Sequence, residues 1–483
     1  MTAARAEGLP SESRAGSTST VMSSFTSSAV LRLLSAQLAA EIAELRMRLA
    51  GLVAKHEHVQ SKLDSIIYPV LQLPPEITAE IFMRCSPDRE RDAQIMYKAE
   101  MLFPLRLASV CRDWRAVALS TPRIWGSMNI CLNSSTHLDF QRRLALCGDA
   151  PLSLELCYNF RCRLDIPHIF PLAIAIDHCR NWETVKIDLM GRDVPLLNQV
   201  KGSLPLLHEL HVSVYGVSAG VGDAFGDAPR LRNLTLTILD TGAYTISATH
   251  FPWEQLTTFN GDGLSVEGCF NVLRLASQLS SCTFSGWFGI DDGLPSVSLH
   301  LPNLRSLRLM NHERFGWFLG SLTLPHLEDL HISILPRQVS PFCDFICRSA
   351  CSLRTLGLRT SSSLSPEILL QLWEAVPTVT HIDVSPSIFC DQMTRLLWEK
   401  SNLLPRLESA IVNGRRLPNY AMDHQLLVNM LRSRQHSLRS FSLFASESSN
   451  ISARNVSQLI SISKTGMDIQ MDVTVPFQAL VSR

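Results

Sequence analysis

The spacing of hydrophobic residues changes character several times along the chain, and each change predicts a different kind of element. Residues 1–28 show no period. They are rich in Ser, Thr, Ala and Gly and are expected to be a disordered tail, because they cannot bury enough apolar surface to offset the entropy of ordering. Across 29–66, Leu31, Leu38, Leu45, Leu52 and Val59 recur every seven residues. Ile42, Leu49 and Leu63 fill the second seam position, which Ser35 and His56 interrupt, and Glu41, Glu44, Arg46 and Arg48 lie off the seam. That pattern predicts a helix with a coiled-coil-like stripe. The stripe serves either a second chain or the domain that follows.

From 71 to 127 the spacing is that of short helices. LQLPPEITAEIF opens one at Pro74 and Pro75, with Glu76 in its first turn and Ile77, Ile81 and Phe82 on one face. A polar stretch, SPDRERDAQ, follows. PLRLASVCRDWRAVALSTPRIWG, residues 104–126, reads as a second helix in which Leu107, Val110, Cys111, Trp114, Val117 and Ala118 recur at spacings of three and four. It closes at Thr121-Pro122, and Trp125 comes just after. A helical module of some fifty residues has little interior. Two tryptophans and this many aliphatic groups should leave apolar surface over for a partner, where tryptophan is a favoured anchor.

From 150 to 483 one template repeats: an apolar residue, two variable, an apolar, one variable, an apolar. Trp182/Val185/Ile187, Leu207/Leu210/Val212, Leu304/Leu307/Leu309 and Leu438/Phe441/Leu443 are examples. Leu256/Phe259 is a degenerate copy with Gly261 in the last slot. The central residues stand at 185, 210, 234, 259, 282, 307, 330, 356, 382, 410 and 441, separated by 23 to 31 positions. Pro205, Pro229, Pro302, Pro325 and Pro405 precede several units and stiffen the turn into each strand. Helical patterns fall between strands, at 266–279, 340–350, 366–376 and 425–431. A unit of this kind cannot cover its own apolar face, so neighbours must stack.

Composition narrows the classes of function. Apolar residues make up 46% and charged residues 18%, and 44 basic side chains balance 44 acidic ones. A large core is available, and charge gives no argument for nucleic acid or an anionic membrane. The 13 cysteines are irregularly spaced and mostly lie in apolar runs, which predicts reduced thiols rather than a disulfide framework. Cys343, Cys347 and Cys351 would share a helix face, for which core packing is the better reading than a metal. No apolar run approaches the length of a membrane span, and the N-terminus lacks the apolar core of a secretory signal. A cytoplasmic or nuclear location is expected.

The order of motifs between 71 and 127 resembles the F-box: a leucine-proline-x-glutamate opening, a valine-cysteine-x-x-tryptophan helix and a closing tryptophan. The stretch from Arg84 to Phe103 is longer than in compact F-boxes. Together with the preceding heptad helix it looks like F-box proteins common in mushroom-forming fungi. The repeat resembles the leucine-rich-repeat horseshoe. The implied fold is α/β, a helical F-box module followed by a leucine-rich-repeat solenoid. The resemblance implies docking to a Skp-type adaptor and through it to a cullin-RING ubiquitin ligase. Leu73, Pro74, Ile77, Ile81, Leu105, Val110, Cys111 and Trp114 would lie at or beneath that contact.

The horseshoe would then hold a protein target on its concave face. His211, Arg308, Asp329, His331, His381 and Asp383 are the charged or titratable candidates there, on a surface mixed in sign that suits hydrogen bonding to a protein or peptide. His211 and His331 stand five units apart, too far to chelate one ion, and read as solvated strand histidines. GVSAGVGDAFG at 216–226 lacks the spacing of a nucleotide loop and reads as a flexible inter-repeat loop. No phosphate-loop, zinc-protease or paired C-x-x-C motif is present. Neither a cofactor nor a catalytic role is expected. The alternative to a ligase subunit is a repeat scaffold dimerised by the heptad helix; an α/β hydrolase has no placed catalytic constellation to support it.

Overall fold

A computed structural model describes residues 23–65, 69–85, 93–132, 137–158, 169–216, 221–239, 250–286, 298–310, 318–360, 362–414, 422–445 and 451–472. The chain divides into two compact units, Met1–Ile77 and Thr78–Arg483. The first contains helix α1 (Ser23–Asp64) and a 3-10 turn at Pro69–Gln72. α1 begins earlier than the heptad pattern suggests, so 23–28 belong to the helix; the rest of the expected tail, 1–22, lies outside the described residues. Pro75 starts α2 (Pro75–Arg84), as its fixed φ and missing N–H favour.

The second unit is α/β. Helices α3 (Ala93–Val110) and α4 (Arg112–Leu119) lead through a 3-10 turn, Pro122–Trp125, into strand β1 (Ser127–Cys131). Strands β2 (Leu152–Cys157), β3 (Trp182–Met190), β4 (Glu209–Tyr215), β5 (Asn233–Leu239), β6 (Thr258–Asp262) and β7 (Ser281–Ser285) follow. Next come β8 (Leu299–His300), β9 (Ser306–Leu309), β10 (Leu322–Thr323), β11 (Asp329–Ser333), β12 (Thr355–Arg359) and β13 (His381–Val384). The last are β14 (Ser409–Gly414), β15 (Ser440–Ala445) and β16 (Asp468–Asp472). Fourteen of these make one parallel sheet in strict chain order, while β8 and β10 pair separately. Neighbours in sequence are therefore neighbours in space, the arrangement of a stacked repeat.

The pairing register gives the physical reason for the repeat. Val185, Leu210, Leu234, Phe259, Cys282, Leu307, Leu330, Leu356, Ile382, Ala410 and Phe441 stand directly opposite one another from strand to strand. All are buried. The row continues to Leu154 and Met128 on one side and Ile469 on the other. The template thus marks one apolar line running the length of the sheet. Burying each large side chain in it stabilises the stack by about 1.5–3 kcal/mol. The sheet begins at β1, well before the predicted start at 150.

Helices cover the apolar side: α5 (His137–Cys147), α6 (Ile169–Asp177), α7 (Val266–Leu275), α8 (Val339–Ser349), α9 (Pro366–Glu374), α10 (Asp391–Glu399), α11 (His424–Ser433) and α12 (Ala453–Ser463). α7, α9, α11 and α12 are N-capped by Ser265, Ser365, Asp423 and Ser452, whose side chains accept backbone N–H bonds. Aromatic rings fill part of the same layer. Phe225, Phe251, Trp253, Phe259, Phe284 and Phe318 make successive ring contacts with centroids 5.4–6.2 Å apart. Gly261 is explained by this spine. A Cβ there would stand 2.8 Å from the Phe259 ring and 2.6 Å from Leu264 Cδ1, so the space of the missing side chain is already occupied.

Two predicted local structures are corrected. Residues 104–126 are not one helix: α3 ends at Val110, and Cys111 adopts an extended conformation that N-caps α4, its sulfur accepting the Trp114 N–H at 3.4 Å. The glycine stretch is not a flexible loop throughout. Residues 217–220 lie outside the described set, but Val221–Phe225 form a 3-10 turn with Val221, Ala224 and Phe225 buried.

Candidate functional site

The first candidate surface lies on the helices before the sheet. α2 buries Thr78 and Phe82, one turn apart, and leaves Ile77 and Ile81 exposed on the adjoining strip. Leu73 and Pro74, just before it, are exposed as well. On α3, Leu105 is exposed and Val110 is 60% exposed. Six of the eight sequence candidates are therefore at the surface. Cys111 is half-buried in its capping role. Trp114 is half-buried against Phe82, edge to face with ring centroids 5.0 Å apart. The expectation of surplus aromatic surface is corrected among the described side chains: what these expose is aliphatic, with Leu102 and Leu119 adding to it.

Trp125 is wholly interior. Its indole N–H donates to the Ala118 carbonyl at 2.8 Å, and Trp182 donates to the Ala175 carbonyl at 3.1 Å, seven residues back in each case. Trp125 stands to Met128 and Ile130 as Trp182 stands to Val185 and Ile187. The tryptophan that closes the helical segment is thus the first inward residue of the first repeat. Phe82, Ala118, Ile124 and Trp125 belong to one continuous core with the sheet. Beside them Phe82, Met83, Phe103 and Ile124 line a cavity of about 460 Å³, together with Glu80, Arg84, Arg123 and Ser127. Of the polar insert at 86–94, residues 86–92 lie outside the described residues, and Ala93 and Gln94 begin α3.

The second candidate surface is the face of the sheet opposite the apolar row. Its residues also stand in register. Asn129, Glu155, Lys186, His211, Thr235, Asn260, Thr283, Arg308, His331, Gly357, Asp383, Ile411, Ser442 and Gln470 form one continuous cross-strand line. Five of the six sequence candidates cluster on β9–β13. Asp329 accepts from Ser306 Oγ at 2.8 Å and Arg308 at 3.1 Å, and His331 Nε2 lies 3.0 Å from its other oxygen. Burial pushes the Asp329 carboxyl up, but hydrogen bonds from His331 and Ser306 and the charges of His331 and Arg308 outweigh it and hold the group at about 2.

One strand further, Arg359 donates to the Asp383 carboxylate at 2.7 Å and to the Asp383 carbonyl at 2.7 Å. His381 is exposed, its Nδ1 2.8 Å from Thr380 Oγ1. His211 stands apart on β4, bonded to Glu209 at 2.8 Å. Neither histidine of the predicted pair is freely solvated; His331 in particular has a side chain only 14% exposed.

Sequence reasoning missed a third group, on β1–β4. Lys186 pairs with Glu155 at 2.7 Å, and Asn129 donates to the same carboxylate at 2.9 Å. Next to them, burial pushes the Asp188 carboxyl up, partly opposed by a hydrogen bond with Ser213 and the charge of Lys186. The charged groups of the face are thus mostly spoken for by one another, and they present fixed donors and acceptors rather than a single sign of charge.

The cysteines offer no comparable cluster. Twelve are free thiols, and Cys162 lies outside the described residues. The three expected on one helix face are not on one helix: Cys351 lies beyond the end of α8 at Ser349, and Cys347 is exposed, so they are not simply core packing either; burial pushes the Cys343 thiol up to about 11. Among the described residues no group of three His, Cys, Asp or Glu side chains is arranged to hold a metal ion, and no helix is long and apolar enough to cross a membrane. No protein-family model matches the chain, and no curated protein matches it.

Proposed function

We propose that the chain is the target-binding subunit of a Skp-cullin-F-box ubiquitin ligase, with a leucine-rich-repeat solenoid as its receptor. The helices α2–α4 dock the adaptor, and the polar sheet face holds a protein target. The reading rests on the ordered motif set between 71 and 127. The observation that carries it is the exposure of Ile81, Leu102, Leu105 and Val110 on helices whose Phe82 and Ala118 are sunk in the core. Such aliphatic groups at the surface are the material of a protein interface. On this reading the chain does no bond chemistry. It brings target lysines near a ubiquitin-charged enzyme, and the rate gain is one of proximity.

The test is co-purification of a Skp-type adaptor with the full chain. Leu105→Asp/Val110→Asp alters exposed positions and should abolish capture without lowering the unfolding midpoint. An adaptor that fails to bind the wild type ends the proposal.

A second reading is a repeat scaffold with no ligase attachment. It is favoured by the shared core of Phe82, Ala118, Ile124 and Trp125 with the sheet, which makes those helices the first layer of the repeat stack. Under it the same surfaces bind a partner, and the adaptor is not retained.

A further inference from the structure

Helix α1 spans 42 residues with its heptad stripe in water. Leu31, Leu38, Leu45 and Leu52 are between 51% and 64% exposed, and Ile42, Leu49, Val59 and Leu63 are exposed with them. A stripe that long and apolar requires an occupant. We infer that the occupant is the same helix of a second copy of this chain, in a parallel, in-register, two-stranded coiled coil.

The polar interruptions fix the orientation. With the every-seventh leucines at d, the a positions are Ser35, Ile42, Leu49, His56 and Leu63. In a parallel, in-register pair each a layer meets its own counterpart, so Ser35 faces Ser35 and His56 faces His56. Antiparallel pairing sets a against d and would press both polar groups against leucine or valine. Polar a positions that match only themselves are a device for fixing register. Leucine throughout the first four d layers agrees with two strands.

The flanking charges agree. Glu41 falls at g and Arg46 at e of the next heptad, so each Glu41 meets Arg46 of the second copy, once on either side of the coil. The other g–e pairs are Leu34 with Ala39, Arg48 with Val53 and Lys55 with Gln60, none of them like-charged. Within one chain Arg48 and Glu44 lie 3.9 Å apart, an i,i+4 pair that joins the g position to the outer c position.

The test is the mass of the full chain in solution at protein concentrations on the order of ten micromolar, by sedimentation equilibrium. The wild type should show twice its 53.8 kDa chain mass. Leu45→Asp/Leu52→Asp should be a monomer with an unchanged unfolding midpoint for the sheet. Glu41→Arg and Arg46→Glu should each weaken association about tenfold, and the double exchange should restore it. A wild type that stays monomeric overturns the inference. A dimer that the aspartates leave intact, or a double exchange without recovery, overturns this helix or this orientation. The outcome is independent of whether the adaptor binds.

Discussion

The imidazole of His331 lies over the backbone of Gly357 on the neighbouring strand, where the Cβ of any other residue would stand. Gly357 is not there for a left-handed backbone. It is there because the histidine that bonds Asp329 needs the space. Gly357→Ala should push the ring aside, separate His331 from Asp329 and cost about 1–3 kcal/mol, as overpacking does. Urea unfolding reads the loss. Gly357→Ala combined with His331→Ala should recover part of it, because the clash is then gone; a double variant no better than the sum of the singles refutes the steric account.

Asp329 makes the stability depend on acid. Its carboxyl is held at about 2 in the folded chain, below the unfolded value of about 4. Protonation therefore favours the unfolded state. The stabilisation is complete above about pH 4, declines as pH falls towards 2 and is absent below. Allowing for partial exposure, it amounts to roughly 1–2 kcal/mol. Asp329→Asn should be less stable than wild type at pH 6, and the gap should close as the pH approaches 2. Urea midpoints across that range measure it; a constant gap means the carboxylate is not the cause.

The apolar row was legible because its spacing is set by the pleat: slots two apart face the same way, and each strand repeats the pattern. The ends were not. Trp125/Met128/Ile130 has the template, but its tryptophan also closes a helical motif, so β1 was absorbed into the preceding segment. β2 and β16 carry Pro151 and Gly466 in the first slot, where the template has a large apolar side chain. The break at Cys111 left little trace, since cysteine is an unusual N-cap. The polar candidates were placed on the correct face by alternation alone. Their pairing was not, because Arg359 and Asp383 are 24 residues apart and meet only through strand register.

The two tryptophans of the helical segment should respond unequally to loss of the indole N–H. Trp125 is buried and bonds the Ala118 carbonyl, so Trp125→Phe strands that acceptor and leaves a void, for a cost of about 2–4 kcal/mol. The Trp114 indole nitrogen has no hydrogen-bond partner among the described residues. Trp114→Phe keeps an edge contact with Phe82 and should cost about 1 kcal/mol or less. Thermal unfolding of the two variants side by side decides it; equal losses would mean the bond contributes nothing.

Arg434 is a buried guanidinium held by carbonyls. Its Nε and one terminal nitrogen donate to Leu397 at 3.1 and 3.0 Å, and that nitrogen reaches Lys400 and Leu403 at 2.8 and 2.9 Å. The other reaches Leu404 at 3.4 Å. Among the described residues no carboxylate pairs with it. The partial negative charge at the C-terminus of α10 takes that part, and the fork geometry satisfies carbonyls that the helix itself cannot. Burial lowers the affinity of Arg434 for its proton without another charge to oppose it. Arg434→Met should strand these acceptors in a dry site and cost about 3 kcal/mol or more. Arg434→Lys should recover only part, because one ammonium cannot span carbonyls spread over two turns. Hydrogen exchange should show the loss first around 397–404 and α11, with β1–β6 unchanged; uniform loss across the sheet would show that Arg434 does not act locally.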